Sequence, residues 1–239
     1  YSNPTGETYS DEVVSRLAKM PTKATDFRIF WDNAYCVHDL SDEDVKLANI
    51  MELCRAAGNE NRPYIFASTS KITFAGAGVS CMASSKANLK DILSHLTMQT
   101  ISYDKISQFI HFSYLKSVDN IKKIMDKQKA IIKPKFDTII SAFVQNFGLD
   151  SDVATWSNPK GGYFITLCTM SNCAKRVGEL CKNAGLTITN VGAAFPYGKE
   201  DDDRTLRIAP TFTSDADLTV ATQILVNCVK IASLEKLMK

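Results

Sequence analysis

Apolar positions along this chain switch between helical and extended spacing, and the switches lay out its elements. Val13, Val14, Leu17 and Ala18 recur at helical intervals, Ser10 stands where an N-cap belongs, and Pro21 stops the run. A helix over 10–20 is therefore expected. Phe27-Arg28-Ile29-Phe30-Trp31 is a short apolar run ended by Asp32-Asn33, which predicts a buried strand. Ser41, with Asp44 three residues on, predicts a second helix over 41–58, with Leu47, Ile50, Met51 and Cys54 on one face and Gly58 closing it. Tyr64-Ile65-Phe66-Ala67 predicts another buried strand, and Gly76-Ala77-Gly78 leads into a third over 79–83. Strands that are apolar almost throughout, alternating with helices, predict an α/β fold with a largely parallel sheet.

From 88 to 147 the spacing is helical. Ile121, Ile124, Met125, Ile131, Ile132, Phe136, Ile139, Ile140 and Phe143 form an apolar stripe, which Pro134 is expected to kink or divide. A second α/β region follows Gly148. It has a strand over 162–167, then a helix bearing Ala174, Val177, Leu180, Cys181 and Ala184 that ends at Gly185. Strands over 186–189 and 205–208 come next, and a final helix starts near Ser214. The chain thus divides into 1–88, a helical passage over 89–147 of the kind that bridges domains, and 148–239.

Composition narrows the function classes. The 239 residues are enough for one large domain or about one and a half ordinary ones. With 45% hydrophobic and 23% charged residues, the chain belongs to the folded globular class. Lys+Arg total 28 against 26 for Asp+Glu, and a net charge of +2 gives no footprint for nucleic acid. No apolar run approaches the roughly 20 residues of a membrane-spanning helix, so no membrane association is expected. Seven cysteines without a Cys-x-x-Cys pair, Cys81 among apolar neighbours, read as buried free thiols in a reducing cytoplasm. Cys36-Val37-His38 lacks the second half of a zinc site, and His38, His95 and His111 are scattered, so no metal is expected. Tyr1-Ser2-Asn3-Pro4-Thr5-Gly6 is turn chemistry with no initiator Met, and the chain reads as a fragment.

In an open α/β sheet, ligands bind beyond the carboxyl ends of the strands. Asp32, with Tyr35 three residues on, and the Ser68-Thr69-Ser70-Lys71 cluster fall at such ends. Each alone has an ordinary structural reading. An Asp after a strand is a turn residue or a cap, a Lys in a Ser-rich loop is a solvated charge, Gly76 and Gly78 make a tight turn, and Arg207 in a strand is a solvent-face residue or half of an ion pair.

Their order carries more. Asn3-Pro4-Thr5-Gly6, Asp32-Asn33-Ala34-Tyr35, Ser68-Thr69-Ser70-Lys71, Gly161-Gly162-Tyr163-Phe164 and Arg204-Thr205-Leu206-Arg207-Ile208 follow one another at intervals that resemble the fold-type I pyridoxal-phosphate aminotransferases. The strings from Asp32 to His38 and from Ser68 to Gly78 resemble the subgroup Ic aspartate aminotransferases. The resemblance runs over essentially the whole chain. It implies the partial large domain of that fold, with its mostly parallel sheet, over 1–88, a helical interdomain segment over 89–147, and a C-terminal small α/β domain over 148–239.

The resemblance also implies roles. Lys71 forms a Schiff base with the cofactor pyridoxal 5′-phosphate and, once released, serves as the base at the substrate Cα. Burial would lower the pKa of such an amine. Asp32 pairs with the pyridinium nitrogen, while Tyr35 and Asn3 hydrogen-bond the ring 3′-oxygen. Ser68 and Ser70 bind the phosphate, and Arg207 grips the substrate α-carboxylate in a bidentate way. The Gly161-Gly162 pair allows close backbone approach at the rim of the small domain.

Two departures stand out. Many relatives place a phosphate-binding Arg shortly after the lysine, where this chain has Gly78. In this family the Asn-Pro-Thr-Gly element also lies near mid-chain, so a further domain's worth of sequence is expected ahead of it, and residues 1–239 alone are expected to be marginally stable and inactive. The implied reaction is transamination between aspartate or glutamate and a 2-oxo acid such as 2-oxoglutarate, in a homodimer. Alternatives are a lyase or decarboxylase on the same scaffold, or an aminotransferase-like effector-binding domain of a transcription regulator.

Overall fold

The computed structural model describes every residue except Asp44. The chain forms two compact units, neither contiguous in sequence: Thr8–Val37 with Glu43–Asp126, and Tyr1–Glu7 with His38–Asp42 and Lys127–Lys239.

In the first unit, the Ser10 hydroxyl accepts the Val13 amide and opens α1 (Asp11–Lys19), as expected. Strands β1 (Ile29–Asp32), β2 (Pro63–Ser68) and β3 (Ser80–Ala83) form one sheet in that order. β1 and β2 are parallel, with Asp32 opposite Phe66. The third strand corrects the parallel expectation, because β3 runs antiparallel to β2 with Ser80 opposite Ser68. The cause is the short connection over 69–79. A parallel return needs a crossover of about a dozen residues or more, whereas this loop closes on itself through Thr69 N–H to Val79 O and Val79 N–H to Thr69 Oγ1, both 2.9 Å.

The second helix is shorter than its pattern. α2 spans Ile50–Ala56, and Asn49 caps it by accepting the Met51 and Glu52 amides. Ser41 does not start it. The Leu40 and Ser41 amides both donate to the Lys160 carbonyl, at 2.8 and 3.1 Å, and Lys129 Nζ holds the Ser41 carbonyl and the Asp42 carboxylate. Tertiary pairing has taken the groups a helix start would need. The other half of the expected capping pair, Asp44, lies outside the described residues. Val14, Ala18, Trp31, Ile50 and Cys54 form the core of this unit, with Leu17, Leu47 and Ile65 against it.

Buried Arg62 closes the end of α1. Its Nη1 donates to the carbonyls of Leu17, Ala18 and Met20 at 3.0–3.1 Å, groups that a helix C-terminus leaves without intrahelical partners. Arg62→Leu keeps the apolar stem but removes these bonds, leaving Ala18 O only the one it accepts from Asn59 Nδ2 at 2.9 Å, and is expected to destabilise the fold by about 1.5–3 kcal/mol. Denaturant titration checks this, and a midpoint equal to that of the unaltered protein contradicts it. The unit is completed by α3 (Lys86–Gln99) and α4 (Lys105–Leu115), capped by Ser85 and Asp104.

Helix α5 (Val118–Phe147) supplies residues to both units by its range. Pro134 lies inside the continuous helix, so of the two expected outcomes, a kink or a division, division does not occur. A proline removes one main-chain bond, and the buried Phe136, Ile139 and Phe143 that follow keep the helix seated.

The second unit carries an antiparallel sheet in the order β4 (Ala154–Trp156), β5 (Ile165–Thr169) and β6 (Thr205–Ile208). α6 (Ala174–Asn183) and α7 (Asp215–Leu237) accompany it. Its core includes Phe143, Ile165, Leu167, Val177, Leu206 and Val229. β4 was not evident in the apolar pattern, since only three residues pair. The expected strand over 186–189 is absent. Leu186 N–H donates to Cys181 O as α6 ends, and the segment packs Leu186 and Ile188 on the core without joining the sheet.

Two composition-based expectations also change. α7 is long and apolar enough, by length and composition, to cross a membrane. Its Leu218, Leu225, Val226 and Val229 are buried in the unit's own core, while Val220, Ile231, Leu234 and Leu237 are exposed. No disulfide joins the cysteines of the described residues, but only Cys54, Cys173, Cys181 and Cys228 are buried. Cys36 and Cys81 are exposed, the latter because β3 turns most of its residues to solvent. Burial, with Cys228 alongside, pushes the Cys181 thiol up to about 12.

Candidate active site

The parallel pair β1 and β2 runs to Asp32 and Ser68, so both side chains stand at carboxyl ends on the same side of the first unit's sheet. Asp32 Oδ1 accepts the Ala34 amide at 3.0 Å, and the Asn33 amide donates to Phe66 O at 2.8 Å. These two bonds turn the chain out of the strand and into buried Tyr35. The carboxylate itself remains exposed.

After Ser68 the chain makes a tight turn. Thr69 O accepts the Ile72 and Thr73 amides, both at 2.9 Å, and Ser70 N–H approaches Ser68 Oγ at 3.4 Å. Lys71 projects from this turn, and its Nζ lies 5.5 Å from the centre of the Tyr35 ring, within cation–π range. The turn is closed by Gly78, where a Cβ would stand 2.9 Å from Ser70 Oγ. An open groove of about 800 Å³ follows these residues, lined by Asp32, Phe66, Ser68, Gly78 and Ser80 among others. Asp32, Tyr35, Ser68, Ser70 and Lys71, singled out from separate stretches of sequence, thus belong to one end of one sheet.

Asn3 and Arg207 belong to the other unit. Arg207 lies on β6, donates from Nη1 to Asn3 Oδ1 at 3.0 Å, and carries its guanidinium 4.8 Å from the centre of the Phe164 ring. Its Nε is buried and, among the described residues, has no hydrogen-bond partner. The Asn3 segment is fastened from below, with Thr166 Oγ1 donating to Pro4 O at 3.0 Å. Gly161 has the close approach expected of it, but to a side chain: the Tyr1 ring occupies the space where a Cβ would stand, 2.2 Å from the nearest ring atoms. Tyr1 Oη donates to Asp39 Oδ1, and burial and that carboxylate together push its phenol upward. Gly162, at φ +82°, sends its amide to His38 O.

Phe164 beneath the arginine, Thr69 at the hub of the lysine turn, and His111 against that turn were given no role by sequence reasoning. The i, i+4 pair Thr69 and Thr73 inside the lysine string was the available signal for the last two.

The profile of the family described as aspartate amino-transferase matches residues 1–239. A Mycolicibacterium smegmatis protein that carries an aminotransferase name is 45% identical over 238 residues, all of this chain and 55% of that protein. An aspartate aminotransferase of Corynebacterium glutamicum is 40% identical over 235 residues, 98% of this chain and 54% of that protein. The crystal structure of an aspartate transaminase from Corynebacterium glutamicum superposes with a TM-score of 0.95 at 40% identity, covering 98% of this chain and 55% of that one. The chain therefore spans about 55% of the length of the relatives it matches.

Proposed function

Since this chain belongs to the aspartate aminotransferase family and has its pyridoxal-phosphate-dependent transferase fold, we propose that the whole protein is a cytoplasmic transaminase that works as a homodimer. It moves an amino group between aspartate or glutamate and a 2-oxo acid such as 2-oxoglutarate. In this reading 1–88 is the distal part of the cofactor-binding domain, 89–147 the helical interdomain segment and 148–239 the small domain. The observation that carries the proposal is the lysine turn: Lys71 over Tyr35, set beyond a parallel strand pair that ends in Asp32 and Ser68.

The donor set fits pyridoxal 5′-phosphate. A primary amine, a carboxylate and two hydroxyls share one sheet end, and the missing Cβ at Gly78 leaves room beside Ser70. When bound, that cofactor supplies an aldehyde for an amine to condense with and a ring that draws electrons from the substrate Cα. Lys71 Nζ would hold the cofactor and, once displaced from it by the substrate amine, would be free to take the proton from the substrate Cα. The Asp32 carboxylate keeps a proton on the ring nitrogen. Tyr35 and Asn3 orient the ring through its 3′-oxygen, and Ser68 and Ser70 bind the phosphate with hydroxyl and backbone N–H groups. Arg207, held by Asn3 and Phe164, is preset to take the α-carboxylate in two parallel bonds.

Lys cannot reproduce that fork. Arg207→Lys in the whole protein is expected to raise the KM for the amino acid by roughly 10- to 100-fold, the equivalent of losing one charge-assisted bond. Steady-state kinetics on aspartate and glutamate read this out. Formation of one glutamate per oxo acid released marks transamination. Ammonia or carbon dioxide in its place would refute the proposal.

A further inference from the structure

The turn that presents Lys71 is tied to a helix by a residue with no role in the reading above. His111 lies on α4 and is 7% exposed. Its Nδ1 is 2.7 Å from Ser107 O and its Nε2 is 2.7 Å from Thr73 Oγ1. A carbonyl only accepts, so Nδ1 carries a proton. Thr73 Oγ1 is also 3.1 Å from Thr69 O, the carbonyl at the hub of the lysine turn. The hydroxyl has one proton for two acceptors. With neutral His111, it donates to Nε2, and Thr69 O keeps the Ile72 and Thr73 amides; with the imidazolium, Nε2 donates to Oγ1 and the hydroxyl turns to Thr69 O. In both arrangements the ring stays bonded to Thr73.

We propose that His111 is a positioning residue for Lys71, fixing through Thr73 the turn from which the lysine projects. The inference rests on the reading of Lys71 as the cofactor-binding lysine. A lysine on a four-carbon stem is well placed only if its main chain is fixed, and an error of about 1 Å there is costly to chemistry. Thr73 is two residues beyond Lys71, Thr69 two residues before it, and both ends of that span are bonded into one unit: Thr69 to Val79, Thr73 to α4.

The test uses the whole protein with pyridoxal phosphate added. His111→Phe and Thr73→Val remove the bond while keeping the bulk, and His111→Gln restores a donor and acceptor. If His111→Phe fails to fold, Thr73→Val, which is nearly isosteric, carries the experiment. Hydrogen exchange of the Ile72, Thr73 and Val79 amides is expected to quicken roughly fivefold to tenfold in Thr73→Val, the size of one neutral hydrogen bond, with the β1–β2 ladder unchanged. The rate at which borohydride-fixable cofactor accumulates on Lys71 is expected to fall by a similar factor. kcat should fall with it while KM holds, and His111→Gln should recover most of each loss. Unchanged exchange and attachment rates in Thr73→Val, with Lys71 still labelled, would overturn this proposal alone. Cofactor fixed by borohydride to a Lys71→Ala protein would overturn the assignment of Lys71 itself, and the proposal with it.

Discussion

Lys71→Ala in the whole protein is expected to lower kcat by roughly 10³- to 10⁴-fold, the full contribution of a placed base, and to abolish fixation of the cofactor by borohydride. The side chain has two duties in the proposed mechanism, and alanine removes both. Because the turn around it is held by main-chain bonds and by Thr69 and Thr73, the fold should survive. The lost cation–π approach to Tyr35 is a surface-scale term of about 0.5–1 kcal/mol. A small primary amine added to the assay should return part of the rate, since the proton carrier is then supplied from solution. Turnover within a factor of ten of the unaltered enzyme would show that Lys71 is not the base.

The largest effect on stability is expected at Phe143. Its ring is fully buried in the core of the unit that contains Arg207, 5.4 Å from the Trp156 ring and 5.9 Å from the Phe147 ring. Phe143→Ala removes apolar area and leaves a cavity between α5 and β4 that neighbouring aromatic rings cannot refill, at a cost of about 3–5 kcal/mol. Phe143→Leu retains most of the volume, so its cost should stay below that of alanine. Trp156 reports the transition directly, as its fluorescence depends on that same packing. A denaturation midpoint for Phe143→Ala equal to that of Phe143→Leu would show that the site collapses around the lost ring.

How much of this was legible depends on where each element's partners lie. The Ser10 cap, α1 and the parallel pair were readable because cap, period and apolar runs are local. The helix expected over 41–58 had the right period from Leu47 to Cys54, but its start was decided by Lys160 and Lys129, more than eighty residues away. The direction of β3 was readable in principle from the length of the 69–79 connection, a constraint that apolar pattern ignores. At the candidate site, Asp32, Tyr35, Ser68, Ser70 and Lys71 were found by their order, since chemistry needs specific residue types at strand ends. His111 and Phe164 were not, because a buried His and a Phe after a Gly pair look like packing until a partner stands beside them.

Gly78 has a bearing on the routes by which such a chain can change. Ser70 Oγ stands 2.9 Å from where a side chain at 78 would begin, with Phe74 O and Ser70 Cα at 3.4 Å. An arginine introduced there, to restore the phosphate ligand of many relatives, must first push the Ser70 hydroxyl aside. In the proposed reading the Ser70 hydroxyl and a cation at 78 would compete for the same corner of the site, and a χ1 rotation of Ser70 is the adjustment that admits the cation. Grafting Gly78→Arg onto this background therefore costs a rotation of Ser70, and Ser70→Ala in the same step removes that cost, so the two substitutions are expected to be non-additive.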